Sequence, residues 1–177
     1  MIKVNLGCGD KVLKGWINID KYYPAKGVIK ADITKKLPFK DNSVDLFLLD
    51  NVLEHLDDSN DMIGMCHKKL KKGGKLKIIV PHYLSINCWG DPTHKKGFSA
   101  RSFLYFKKNH TRNYYFNFSY NKLKIRLRFA KNILLFWNYV IEPIANLLKY
   151  KSIFLWELFP ILSAIFPPST IEVELIK

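Results

Sequence analysis

Two glycines, Gly7 and Gly9, follow a short apolar run from Ile2 to Leu6, and an aspartate, Asp20, closes the next run. Glycine has no Cβ and tolerates positive φ, so a strand ending in G-x-G lets backbone approach a ligand closely. Open α/β sheets bind nucleotides in that place, beyond the carboxyl ends of the strands where strand order reverses. A carboxylate at the end of the second strand can accept both hydroxyls of a ribose. The dinucleotide fingerprint asks for a third glycine, where this chain has Val12, and for an acid about 20 residues further on. Asp20 follows Gly9 by only 11 residues, and no G-x-x-x-x-G-K-[ST] occurs anywhere. A nicotinamide dinucleotide and a P-loop nucleotide are therefore disfavoured. What is left is a nucleoside-bearing ligand without a pyrophosphate, or a tight turn with no ligand at all.

The elements that must hold these residues alternate as strand, loop, strand through the first half. Strands are expected at Ile2 to Leu6, Trp16 to Asp20, Val28 to Asp32, Val44 to Asp50 and Lys75 to Val80. The fourth, VDLFLLD, is the most apolar, as a central parallel strand buried on both faces should be. A helix entered at Asp57 or Asp58 places Met62, Ile63, Cys66 and Leu70 at helical spacing, with Gly73 as its stop. After Pro81 the spacing predicts a short helix at Ser99 to Phe106, a strand at Lys122 to Phe129, helices at Ile133 to Tyr150 and Ser152 to Ile165, and a closing strand at Thr170 to Ile176. Strands joined by crossovers imply a parallel, right-handed α/β sheet. The first two connections are too short for the usual crossover helix, so one face of that sheet edge should be thinly covered.

Six blocks in order carry a family resemblance: Val4 to Asp10 (VNLGCGD), Asp20, Ala31-Asp32-Ile33, Leu37 to Asp45 (LPFKDNSVD), Asn51 to Leu56 (NVLEHL) and Leu70 to Gly74 (LKKGG). Together they resemble the class I methyltransferases that use S-adenosylmethionine. That resemblance implies an α/β, Rossmann-like, seven-stranded and mostly parallel sheet of order 3-2-1-4-5-7-6, with shortened first crossovers. It also implies a cofactor site. Gly7, Cys8 and Gly9 would pass along the methionine part, Asp20 would bind the ribose, Asp32 and Ile33 would flank the adenine, and Asp50 and Asn51 would lie near the amino-acid end and the reactive methyl. The chain departs from the family in having no third glycine, no room for the helix after the glycine loop, and Lys-Lys-Gly-Gly where Lys-Pro-Gly-Gly is usual. Gly15-Trp16, Pro81-His82-Tyr83, Asp91-Pro92-Thr93-His94 and Phe166-Pro167-Pro168 are similar to a compact subgroup associated with surface-polysaccharide synthesis. The acceptor implied is a hydroxyl of a glycan or lipid-linked glycan precursor.

Methyl transfer from a sulfonium is an in-line displacement that needs no covalent nucleophile, and a histidine near neutral pKa is the usual base when the acceptor is a hydroxyl. His82, directly after the fifth strand, is the first candidate, followed by His94 in a loop able to fold over the pocket and by His55 after the fourth strand. His67 reads as solvated surface. His82, Asp91 and His94 contain no ligand pair at i, i+4 and Cys88 belongs to no zinc pattern, so no metal is expected.

The 177 residues are 48% hydrophobic and 25% charged, which fits one globular methyltransferase domain. About 70% of the unfolded surface can be buried at this length. Three cysteines in no paired spacing point to a reducing compartment, and no secretory signal is evident, so the expected location is cytoplasmic or peripheral to the inner face of the membrane. A transmembrane protein is disfavoured, because neither apolar stretch near the C-terminus is long and clean enough. The net charge of +14 implies an anionic partner. The second half holds 14 basic and 5 acidic residues, with no acid at all from Pro92 to Ile141. Residues 82–118 are expected to form a substrate-side insertion, and residues 132–166 a helical segment before the last strand. Interleaved cations and rings also fit single-stranded nucleic acid, which keeps an RNA methyltransferase or a noncatalytic nucleic-acid or membrane-binding module as alternatives. The apolar C-terminal helices suit peripheral membrane contact or a homodimer equally well.

Overall fold

The computed structural model describes residues 1–130, 137–147 and 165–177. Seven strands form one sheet: β1 (Lys3–Leu6), β2 (Ile17–Asp20), β3 (Val28–Lys30), β4 (Val44–Asp50), β5 (Leu70–Pro81), β6 (Lys122–Phe129) and β7 (Pro168–Ile176). Their spatial order is β3-β2-β1-β4-β5-β7-β6, as expected. The first five run parallel, and β7 is antiparallel to both neighbours, β5 and β6. The four parallel joints bring the carboxyl ends of β1, β2 and β4 to one edge, where the glycine loop lies.

The central strand β4 is buried along nearly its whole length, with Val44, Phe47 and Leu49 fully covered. Around it lie Leu6, Ile19, Leu76 and Ile78 of the neighbouring strands. Helix α1 (Ser59–Lys69) buries Met62, Ile63 and Cys66 against this core. Asp58 caps it by accepting from the Asp61 N–H at 2.9 Å, and His67, Lys68 and Lys69 in its last turn complement the helix dipole. Its end differs from expectation. Leu70 is already extended and opens β5, while Gly73 lies at φ +78° in an irregularity of the β4 to β5 pairing and stops no helix.

The first two crossovers hold no helix, and two buried asparagines take over the work. Asn5 donates to the Lys11 carbonyl at 2.8 Å and to Asn18 Oδ1 at 3.1 Å. Asn18 Oδ1 accepts from the Leu13 N–H at 2.9 Å, and Asn18 Nδ2 donates to the Leu13 carbonyl at 3.0 Å. The loop is thereby stitched onto the sheet by side chains of β1 and β2, which satisfy backbone groups a helix would have satisfied internally.

Beyond β5 come two short helical pieces, α2 (Ile86–Trp89) and a 3₁₀ segment over Ala100–Phe106, then a single 3₁₀ turn at Asn113–Tyr115. Aromatic residues hold this region down: Phe103, Phe106 and Tyr120 are buried, Phe116 and Phe118 pack on Phe106, and the Tyr120 hydroxyl donates to the Ile63 carbonyl at 3.1 Å. Most rings of the basic stretch thus belong to the core, whereas Tyr114 and Tyr115 are exposed. Helix α3 (Asn138–Asn146) is the described part of the helix expected over 133–150, and the helix expected over 152–165 lies outside the described residues except for its last position. No helix among the described residues is long and apolar enough to cross a membrane.

Candidate active site

Gly7 and Gly9 both adopt left-handed backbone, with φ of +62° and +48°. At Gly7 a Cβ would sit 2.8 Å from Val52 Cγ2, so only glycine lets the loop close over the turn after β4. Asp20, at the end of β2, fastens the same loop. Its Oδ2 accepts from the Gly9 N–H at 2.8 Å, while Oδ1 accepts from the Tyr22 and Tyr23 N–H groups at 2.7 and 2.9 Å. Burial pushes this carboxyl up, but the backbone donors of Tyr23, Gly9 and Tyr22 outweigh burial and hold it below the usual carboxylate range. A carboxylate offers about four lone-pair sites. Oδ1 takes two of the backbone donors and Oδ2 one, and the Lys21 N–H adds to the backbone's pull, so Oδ2 is the less engaged oxygen.

A cavity of about 660 Å³ opens beside this loop, within the range of about 300–1,000 Å³ common for small-molecule sites. Its wall brings together Gly7, Asp20, Asp32, Ile33 and Asn51 from the expected set, and adds Val52, His55, Thr93 and Lys95. Asp32 accepts from both the hydroxyl and the N–H of Thr34 and pairs with Lys21 at 3.0 Å, which together hold its carboxyl at about 2. Ile33 is buried beside it. Asn51 lies at φ +54°, and its side chain donates to Asp50 Oδ1 at 3.0 Å. Asp50 and Cys8 face a second hollow of about 350 Å³ on the other side of Gly7, lined also by Asn5, Asp10 and Lys11. There Lys11 Nζ meets Asp50 Oδ2 at 2.9 Å. Burial, with the Asp20 charge in support, pushes the Cys8 thiol up, so it stays protonated and inert.

The three histidines go to different places. His82 is fully buried, bridges to Phe98 through its backbone, accepts the Leu84 N–H on Nδ1 at 3.2 Å, and lines neither hollow. His55 lines the larger cavity, and His94 packs edge-on against it with ring centroids 4.7 Å apart. The loop Asp91 to Lys96 brings them together. It is tied to the turn after β4 by the Lys95 N–H on the Glu54 carbonyl at 2.7 Å, by Lys95 Nζ on Asp57 at 2.6 Å and by Lys96 Nζ on the Asp57 carbonyl at 2.8 Å.

Proton bookkeeping fixes both imidazoles. Thr93 has one hydroxyl proton, and it goes to Asp91 Oδ1 at 2.6 Å, so the contact of 3.0 Å with His55 Nδ1 makes the imidazole the donor. His94 Nδ1 likewise faces the Cys88 carbonyl at 2.8 Å, which can only accept. In each neutral ring Nε2 therefore carries the lone pair.

In the sequence Glu54 and His55 end a Glu-x-x-Glu-His pattern whose first acid is replaced by Asn51, which argues against a metal there. In the structure Glu54 is fully buried, and neither carboxylate oxygen has a well-directed hydrogen bond. Burial foremost pushes its carboxyl up to about 7; the Asp50 and Asp91 charges add to the shift, while its own N–H and His94 oppose it.

Residues 11–78 match the family model described as a methyltransferase domain. No curated relative matches the sequence. Three solved structures are similar over 99% of the chain: a SAM-dependent methyltransferase from Archaeoglobus fulgidus (21% identity, TM-score 0.65, 85% of that chain), a SAM-dependent methyltransferase described as a possible histamine N-methyltransferase from Thermotoga maritima (17%, 0.58, 82%), and an S-adenosylmethionine-dependent methyltransferase from Mesorhizobium loti (14%, 0.55, 90%). At these identities the likeness is one of fold.

Proposed function

We propose that this S-adenosylmethionine-dependent methyltransferase transfers its methyl group to a hydroxyl of an anionic glycan or lipid-linked glycan precursor. The observation that carries the reading is the single cavity whose wall runs from Gly7, Asp20, Asp32 and Ile33 to His55, Thr93 and Lys95. Groups suited to a nucleoside and groups suited to a polar acceptor share one space. The glycine loop and the less engaged Oδ2 of Asp20 fit a ribose-bearing cofactor, and buried Ile33 beside Asp32 offers an apolar flank with a polar end for the adenine.

Bound S-adenosylmethionine supplies a methyl group on a cationic sulfur, transferred by in-line displacement. The chain has to hold donor and acceptor in near-attack geometry and keep water out. Val52 and Leu56 give the cavity an apolar side, and residues of the 82–118 segment, Thr93 and Lys95, give it the polar side expected to meet the acceptor. Of the three candidate histidines His55 is the one that lines this wall, with Nε2 left outside its contact with Thr93. The excess of cations after Pro92 favours an anionic acceptor. The exposed Val140 and Ile144 on α3 and Leu147 just after it favour peripheral contact with the membrane in which a lipid-linked acceptor lies.

The test incubates the protein with S-adenosylmethionine labelled in its methyl group and with separate fractions of lipid-linked glycan, soluble nucleotide sugar and RNA. Label and a mass gain of one methyl group in a glycan fraction are expected. Label in RNA alone, or no cofactor binding by calorimetry, overturns the reading.

A further inference from the structure

Glu54 has no part in holding the cofactor, yet it carries a fully buried carboxylate with both oxygens unpartnered. An isolated carboxylate is expensive to bury, so it takes up a proton, is paired or coordinates a metal. The groups around it are suited to the last of these. One ligand atom from each of Glu54, His55 and His94 lies within 4.8 Å of the others, the one such trio among the described residues. Each imidazole spends its Nδ1 proton on a fixed acceptor, Thr93 Oγ1 for His55 and the Cys88 carbonyl for His94, which leaves the Nε2 lone pair for a ligand, with Asp91 Oδ2 3.7 Å from His94 Nε2. An outer hydrogen bond of this kind orients metal-binding histidines. Asp91 fixes the Thr93 hydroxyl in turn.

We propose that Glu54, His55 and His94 bind a divalent transition metal of the zinc type in the wall of the acceptor pocket. Two imidazoles and one carboxylate suit Zn²⁺ and its surrogate Co²⁺, whereas Mg²⁺ and Ca²⁺ ask for an oxygen-rich shell. Tetrahedral ligands about 2.0–2.1 Å from zinc lie roughly 3.3 Å apart, so side chains within 4.8 Å of one another draw together when the ion binds. Three protein ligands leave one position open, and His55 places it on the cavity that also holds Gly7 and Asp20.

Resting on the function proposed above, the ion gives the acceptor hydroxyl its place. Coordination lowers the pKa of the hydroxyl, and its proton leaves to water. The oxygen lone pair then forms the O–CH₃ bond as the C–S bond breaks, with the electron pair remaining on sulfur. His55 is in that case a ligand and takes no proton.

The experiment titrates chelator-treated full-length protein with CoCl₂, followed by visible absorption, and with ZnCl₂, followed by calorimetry. One equivalent should bind with ligand-field bands of a four- or five-coordinate ion. Glu54→Gln and His94→Ala should each weaken binding at least tenfold, and His110→Ala, on the far side of the insertion, should leave it unchanged. If Glu54→Gln does not fold, His55→Ala and His94→Ala carry the comparison. Absence of the bands and of heat, or equal binding by every variant, overturns the site. Calorimetry with S-adenosylmethionine on the same samples separates the two readings: cofactor binding without metal binding sinks only the metal, and the reverse sinks only the methyltransferase chemistry.

Discussion

The Gly9 N–H donates to Asp20 Oδ2 at 2.8 Å, so the carboxylate expected to meet the ribose also sets the loop that meets the rest of the cofactor. Asp20→Ala should cost on both counts. It removes a charged acceptor worth about 1.5–3 kcal/mol per interaction, which predicts at least a tenfold loss of S-adenosylmethionine affinity and a lower melting temperature. Calorimetry and thermal unfolding check both, and wild-type affinity in the variant would remove Asp20 from the site.

The pH dependence follows from the same carboxylate and its neighbour across the cavity. Asp20 is held below its usual value and Asp32 at about 2. Both stay charged in the folded protein at a pH where the unfolded chain binds the proton. Their stabilisation is therefore complete above the ordinary value of 3.8 and is lost as pH falls through the lowered folded-state values, that of Asp32 lying at about 2. Cofactor affinity should not change through these two groups between about pH 5 and pH 8. A midpoint near neutrality that survives substitution of every histidine on the cavity would contradict this.

The two loop glycines should respond differently to alanine. At Gly9 the added Cβ meets nothing within 4 Å, so the cost is left-handed backbone alone, of order 1 kcal/mol. At Gly7 the same strain is joined by a contact of 2.8 Å with Val52 Cγ2, and overpacking adds about 1–3 kcal/mol. Val52→Ala should recover part of the stability of Gly7→Ala and none of that of Gly9→Ala. Unfolding of the three single and two double variants in urea measures the coupling, and simple additivity at the Gly7 pair would argue against the contact.

The sequence is readable wherever chemistry is local. The alternation of strands, the polar punctuation after β1 and the acid ending β2 are contiguous patterns, and they lead to the observed sheet order and to one cavity holding five of the expected residues. What depends on distant pairing is not readable in this way. Nothing in the sequence joins Glu54 to His94, which only the fastened loop brings beside it, and the position of His82 just after a strand gives no sign that its ring is sealed in. The end of α1 is misplaced for a related reason: Gly73 carries the usual stop signal, but pairing of Leu70 with Val44 starts the strand three residues earlier.

Asn5 and Asn18 are the least expected part of the fold, since buried polar residues in adjacent central strands ordinarily argue against a core. They replace a crossover helix: Asn18 makes three bonds to the backbone of Leu13 and Trp16, and Asn5 makes one to Lys11 and one to Asn18. Asn18→Leu would keep the volume and strand the Leu13 N–H and carbonyl, at about 1–3 kcal/mol per buried unsatisfied group. A loss of that size, together with faster amide exchange from Lys11 to Trp16, is expected by hydrogen-exchange mass spectrometry. Unchanged exchange in that loop would show that the asparagines do not hold it.

Much of the positive charge on β6 is answered within the fold. Lys124 pairs with Glu174 at 3.2 Å, Arg128 with Glu172 at 2.8 Å, and Arg126 and Arg128 with the buried Glu142 of α3 at 3.4 and 3.0 Å. Glu142 also accepts from the Phe129 N–H at 3.2 Å, so these arginines dock a helix onto the edge strand. A strand whose cations are engaged in this way should contribute little to any binding of nucleic acid. For a single strand, removing one cation that neutralises a phosphate lowers the slope of log affinity against log salt by about 0.7. Filter binding of single-stranded RNA to the Lys124→Ala, Arg126→Ala double variant should therefore show the wild-type slope, while its melting temperature falls. A slope reduced by about 1.4 with stability unchanged would reverse the assignment, freeing β6 to act as a phosphate-binding edge.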